Sequence, residues 1–167
     1  SKNRTLKWLR QYVKENSRYQ LVCHEKDANI AKCYNEGIKA SSGEYIVLLH
    51  SNVVVTKGWL TGLLECIKNA PDAGIVGPMM NNAMGIQKIT DGAPMSIDHL
   101  ESYAKTFRER YRYRRISTRI LDNSCILFRR GLVEEIGLLD ENLGFENFDS
   151  EDLCLRGTLE RHKNFIA

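Results

Sequence analysis

The sequence predicts an α/β domain in three layers, with helices on both faces of a largely parallel mixed sheet. Three observations carry that prediction. Strand-length apolar runs alternate along the chain with segments of helical period. Tyr45-Ile-Val-Leu-Leu49 is apolar without a break, the pattern of a strand covered on both faces. The chain has 167 residues, enough for one domain with a core of its own and too few for two.

Each element follows from its spacing. Leu6, Leu9 and Val13, beside Trp8 and Tyr12, repeat at helical intervals, and Gln20 to Cys23 reads as a short strand. Ile30, Tyr34 and Ile38 stand four apart and predict a helix over 29–40, closed by Ser41-Ser42-Gly43 with Gly43 as a left-handed cap. After the Tyr45–Leu49 strand, Trp59, Leu60, Leu63, Leu64 and Ile67 share one stripe of a helix over 58–69. Gly74 to Gly77 is a strand stopped by Pro78. The Asn- and Gly-rich stretch 81–93 is long for a connection, a length associated with functional loops. A basic helix over 97–115, a strand over 125–128, helices over 131–137 and 151–161, and a strand beginning at Phe165-Ile166 complete the order. No repeat, low-complexity tract or linker divides the chain.

Composition narrows the classes. A hydrophobic share of 43% with 27% charged residues argues against disorder. No apolar run approaches the length of a membrane span, and the start carries no signal-peptide pattern. A net charge of +3 is too small to imply nucleic acid. The five cysteines (Cys23, Cys33, Cys66, Cys125, Cys154) are odd in number and contain no Cys-x-x-Cys pair. They read as free, mostly buried thiols of a reducing compartment rather than as a zinc or redox site.

Ligands of open α/β sheets bind beyond the carboxyl ends of the strands. There, His50-Ser51-Asn52 interrupts an apolar segment and exposes three polar side chains, either as an ordinary turn or as a ligand site. A second candidate is Glu146-Asn-Phe-Asp149-Ser150-Glu151-Asp152, with Arg156 one turn on. Its acids either cap a helix or, by mutual repulsion, supply a general base. A third is the run from Lys105 to Arg119, where basic residues interleave with Tyr103, Phe107, Tyr111 and Tyr113. It is either a solvated helix face with its aromatics turned inward or a grip for phosphate or RNA. His24, His99 and His162 have no metal-ligand spacing.

The segment Ala31…Asn35-Glu-Gly37…Gly43-Glu44-Tyr45-Ile-Val-Leu-Leu-His-Ser-Asn-Val-Val-Val-Thr-Lys-Gly58-Trp59-Leu60 strongly resembles the middle of a family-2 glycosyltransferase. Gly74-Ile-Val-Gly-Pro-Met-Met-Asn-Asn82 and Ile136-Gly-Leu-Leu-Asp…Asp149-Ser-Glu-Asp-Leu-Cys-Leu-Arg156 resemble the segments that follow. The resemblance implies a GT-A fold and an inverting sugar transfer from a UDP- or dTDP-type nucleotide-sugar donor. The acceptor hydroxyl would belong to a carbohydrate, a lipid-linked or a protein acceptor. It also implies a bacterial, cytoplasmic protein of cell-surface polysaccharide biosynthesis. The basic helix 105–119, read on its own residues, is a candidate for peripheral contact with the inner face of the membrane or with an acidic partner, and nucleic acid is not the expected partner.

Residue by residue, the resemblance places His50, Ser51, Asn52, Asn123, Ser124 and Arg156 at the donor, with Arg156 holding either a phosphate or the acidic loop. It places Asp149, Glu151 and Asp152 at the acceptor as base candidates. It places magnesium or manganese at His50 and Asn52. Here the sequence departs from the family: the metal motif has lost its carboxylates, so weak affinity is expected. Ser150 stands at the usual base position, and Asn123-Ser124-Cys125 replaces Gly-Phe-Cys. Arg129 or Arg130 is a candidate to neutralise the diphosphate in place of metal. The alternative reading is a glycosyltransferase-like binding or structural module without turnover. The resemblance further predicts a single partial domain over 1–167 that lacks the first nucleotide-binding strand, leaving a sheet edge open to association.

Overall fold

The structure, a computed structural model, describes residues 2–24, 28–83, 85–90, 92, 94, 96–143 and 148–167. The chain forms two compact units, residues 1–42 and 43–167.

The first unit holds α1 (Lys2–Glu15) and α2 (Ile30–Ala40). Trp8 stacks on Tyr12 at 5.1 Å, and Tyr19 meets the same ring edge-on. Asn29 caps α2, its side chain accepting from the Lys32 amide at 2.8 Å. Two expectations fail here. Gln20–Cys23 is irregular rather than a strand, because a short apolar segment without a partner strand has nowhere to place its backbone hydrogen bonds. The α2 helix ends at Ser41, whose extended backbone donates to the Gly37 and Ile38 carbonyls, so no left-handed Gly43 is needed.

The second unit is built on a five-stranded mixed sheet. Its elements are β1 (Tyr45–Leu49), α3 (Trp59–Lys68), β2 (Ala73–Gly77), α4 (Ile97–Tyr111), β3 (Ile116–Thr118), β4 (Cys125–Arg129), α5 (Arg130–Ile136), α6 (Phe148–Leu159) and β5 (Lys163–Ile166). The strand order is β1-β4-β2-β5-β3. Only β2 and β5 pair in parallel; β4 runs against both β1 and β2, and β3 against β5. Parallel pairs are therefore fewer than the strand–helix alternation predicts, since β4 enters between two strands of the opposite direction.

The innermost strands are β2, buried at every residue, and β4, buried from Cys125 to Phe128. The Tyr45–Leu49 strand lies at an edge instead, with Ile46 and Leu48 buried and Leu49 exposed. Leu63 and Ile67 of α3 pack on Val76, Leu127 and Phe165 to form the core. Helix α4 stops at Tyr111, short of the expected 115, and Tyr113 takes a left-handed backbone before β3 begins. Helix α6 starts at Phe148, earlier than expected, so Asp149 and Glu151 occupy its first turn.

Candidate functional site

The polar residues after β1 sit against the start of β4. The His50 amide donates to the Ser124 carbonyl at 2.9 Å, prolonging the β1–β4 ladder by one bond. The chain then turns, with the Val53 amide on the His50 carbonyl at 3.2 Å. Within the turn, His50 Nδ1 and Asn52 Oδ1 are 2.9 Å apart; Ser51 and Asn52 are exposed and His50 is half-buried.

The 122–124 segment opposite is held tightly. Asp122 Oδ1 accepts from the Ser124 amide at 2.9 Å and from Ser124 Oγ at 2.5 Å. The Asp122 amide donates to Gln87 Oε1 at 2.7 Å, and Gln87 Nε2 donates to the Pro78 carbonyl at 3.0 Å. Gln87 is buried and clamps the long loop after β2 to the site. It approaches so closely that a Cβ on Gly77 would meet its Nε2 at 2.9 Å and the Cys125 carbonyl at 3.3 Å, so a side chain there would have to displace the Gln87 clamp. Neither Gln87 nor Asp122 stands out in the sequence, where each is one polar residue among others in a connection.

Asn123 joins this turn to the acidic cluster. Its side-chain amide donates to Asp149 Oδ1 across 3.5 Å, a long bond between two buried residues. The same oxygen accepts the Ser150 amide at 3.0 Å, and Ser150 Oγ donates to the Leu121 carbonyl at 3.1 Å. Asp149 is 2% exposed, and its Oδ2 has no hydrogen-bond partner among the described residues. A buried carboxylate oxygen without a donor is costly, so such atoms mark places where a ligand completes the structure. Glu151, half-buried, lies about 200° round the helix from Asp149. Glu146 lies outside the described residues.

Asp152 and Arg156 form their own unit. The Asp152 carboxylate accepts from Arg156 Nε at 2.8 Å and from its Nη2 at 2.7 Å. Arg156 also donates through Nη1 to the carbonyls of Ile136 (2.5 Å) and Gly137 (3.3 Å), and through Nη2 to that of Leu138 (2.9 Å). A guanidinium has five N–H groups, and all are engaged. Of the two roles open to Arg156 in the sequence, the geometry gives it the anchoring of a loop and leaves no donor for a phosphate.

Arg129 and Arg130 are corrected outright. Arg129 pairs with Tyr45, about 13 Å along the strand from the Leu49 end, and its guanidinium binds the Ala73 and Ile67 carbonyls. Arg130 Nε binds the Gly43 carbonyl at 2.8 Å. Both sit at the end of the sheet remote from His50 and cannot neutralise charge there.

A cavity of about 430 Å3 opens beside the turn, where Asn52 and Ser124 line it together with Trp59, Met80, Tyr103 and Phe107. Helix α4 closes one side through two polar ties: Glu101 accepts the Lys57 amide at 2.9 Å, and Arg108 donates to Thr56 Oγ1 at 3.2 Å. Tyr103, Phe107 and Tyr111 stack along the half-buried face of α4, as the inward reading expects, whereas Tyr113, past the end of the helix, is exposed and departs from it. Cys125 also borders the cavity, but burial pushes its thiol up to about 11, and that of Cys154 to about 12. Neither is a thiolate at neutral pH, which removes cysteine as a nucleophile here. All five cysteines are free; Cys23 and Cys33 are exposed, so only Cys125 and Cys154 are fully buried.

The turn does not suit a hard divalent cation. It offers one imidazole and one amide oxygen, already hydrogen-bonded to each other, and no carboxylate. Among the described residues no three His, Cys, Asp or Glu side chains converge on a common point. None of the described helices is long and apolar enough to cross a membrane.

No curated protein matches the chain at a significant level. The family model described as "Glycosyl transferase family 2" matches residues 1–137, a span that includes the β1 turn, the Asn123–Ser124 segment and all of the cavity lining but Ala167, and stops before α6. The match takes in most of the chain, which therefore belongs to the family-2 glycosyltransferases, and its mixed sheet with flanking helices is their GT-A fold.

Proposed function

We propose that this domain transfers a sugar from a UDP- or dTDP-type nucleotide donor to an acceptor hydroxyl, with inversion at the anomeric carbon. The donor diphosphate lies over His50, Ser51, Asn52 and Ser124. The acceptor, a carbohydrate or a lipid-linked or protein hydroxyl, enters from the side of Asp149. The observation that carries this reading is the buried Asn123–Asp149 contact. It brings one carboxylate, with a free Oδ2, to the polar turn that closes β1.

In this scheme the acceptor oxygen attacks the anomeric carbon and its proton passes to Asp149 Oδ2. The new glycosidic bond forms as the bond to the nucleotide diphosphate breaks. Asp149 is preferred as base over Asp152, whose charge is matched by Arg156, and over Glu151, which lies on the far side of the helix. Family members commonly use a divalent metal to stabilise the leaving diphosphate. The donor set described above argues against that device here, and hydrogen-bond donors at the turn take its place.

The test is thermal melting with UDP and dTDP, each with and without manganese. A nucleotide at one hundred times its dissociation constant adds about 2.7 kcal/mol of stability. A shift independent of manganese is the expected result, and no shift with any nucleotide sinks the proposal. Binding without turnover under any acceptor would favour the second reading, a binding module. The absence of carboxylates in the turn and Ser150 at the usual base position favour that reading.

A further inference from the structure

The end of α4 and the strand after it form a surface that the transfer reaction does not use. Between Glu109 and Asp122 there is no acidic residue, while Arg110, Arg112, Arg114, Arg115 and Arg119 fall in that span. Arg115 is engaged by the Asn69 carbonyl and the Phe165 ring. The side chains of Arg110, Arg112, Arg114 and Arg119 make no ion pair among the described residues. Arg108, by contrast, is paired with Glu101.

Exposed apolar groups lie among these charges. Tyr113 is 76% exposed on a left-handed backbone that lifts it out of the helix, and Ile116 and Ile120 are 50% and 44% exposed. Strand β3, which contains Ile116, is an edge of the sheet. Cations on an edge strand ordinarily serve to blunt it against association. That does not explain an exposed tyrosine and two exposed isoleucines beside them, which would promote association.

We propose that residues 110–120 dock this domain onto an anionic lipid surface. Arginines attract the headgroup phosphates, while tyrosine and aliphatic side chains settle at the headgroup–acyl boundary. Single-stranded RNA would need free rings on which bases can stack. Here the rings are already covered: Arg110 and Arg114 lie over Tyr111, and Arg112 lies 4.7 Å from the centre of Tyr113. Stacking on a ring leaves the guanidinium edges free for phosphate oxygens. The inference stands apart from the transferase reading, since it involves none of the residues assigned to donor or acceptor.

The full chain should co-sediment with vesicles of phosphatidylcholine mixed with phosphatidylglycerol and not with phosphatidylcholine alone, and added salt should weaken the binding. Each arginine near the surface is worth about a fivefold change in partition. Replacing Arg110, Arg112 and Arg114 together by glutamine should therefore lower it about a hundredfold, with an unchanged circular dichroism spectrum. The pair Tyr113→Ser and Ile116→Ser should also reduce partition while leaving its salt dependence intact. Equal binding to both vesicles, or none to either, overturns the proposal. So does tight binding of an RNA oligomer by a protein that ignores anionic vesicles.

Discussion

The β1 turn and the α6 cluster of the candidate site are built in opposite ways. On the β1 side, the His50 and Asn52 side chains hydrogen-bond each other, with Asn52 exposed and His50 half-buried. On the α6 side, Asp149 and Ser150 are buried, and Arg156 binds one carboxylate and three carbonyls. The difference separates adaptability from precision. A turn that meets a diphosphate can reshape around it, whereas a base must hold its position to within a fraction of an ångström to be effective.

Four measurements sharpen or break this contrast. The largest effect belongs to Asp149→Asn, which should lower turnover by about 10²–10⁴-fold while Glu151→Gln stays within about twofold. The reverse ranking would move the base to the opposite face of α6. Next is Arg156→Ala, expected to cost about 2–3 kcal/mol in chemical denaturation, with Arg156→Lys recovering little because an ammonium cannot reproduce the fork. An unchanged midpoint would mean that the α6 cluster is not rigid. Gln87→Ala should cost about 1–2 kcal/mol by stranding the Asp122 amide and the Pro78 carbonyl. The smallest stability effect is His50→Ala, within about 0.5 kcal/mol, though calorimetry should show weaker nucleotide binding. A large loss of stability there would erase the distinction between the turn and the cluster.

The buried thiols add a pH arm on the rigid side. Cys154 lies in α6, and its folded pKa of about 12 exceeds the ordinary 9.0; Cys125, in β4, is raised to about 11. A raised folded value means that the unfolded chain loses the proton first. Their contribution to stability is therefore complete below about pH 9 and is lost as pH rises toward 11–12. Melting followed from pH 8 to 11 should show a decline that is smaller in Cys154→Ala than in the parent chain. Iodoacetamide should label Cys23 and Cys33 well before Cys125 or Cys154.

Much of the fold was legible because the apolar period names elements directly. Leu63 and Ile67 mark the buried stripe of α3, and Ala73–Gly77 and Cys125–Arg129 read as strands from their composition alone. What pairing decides was not legible. Strand β3 has three residues and exists only because β5 runs beside it, and the insertion of β4 between β1 and β2 leaves no local trace. At the site, the polar interruption at His50–Asn52 and the acids after Phe148 were visible in one dimension. Their connection was not, because Asp122 and Asn123 come from one connection and Gln87 from another, and only the folded chain gives each a partner. The reach of Arg156 to residues 136–138 was hidden for the same reason: a cation one turn after an acid reads as a helix pair, and the carbonyls it gathers have no signature in sequence.

The two ties between α4 and residues 56–57 make that helix a lever between distant ligands. Arg110 in its last turn and the arginines just beyond it form the proposed lipid-facing end, and Glu101 and Arg108 fasten the helix to the segment that follows the β1 turn. Should a nucleotide shift the lever, thermodynamic reciprocity requires vesicle affinity and nucleotide affinity to change by the same factor. A single titration of each ligand in the presence of the other would then measure, in one number, how firmly catalysis and location are yoked in this chain.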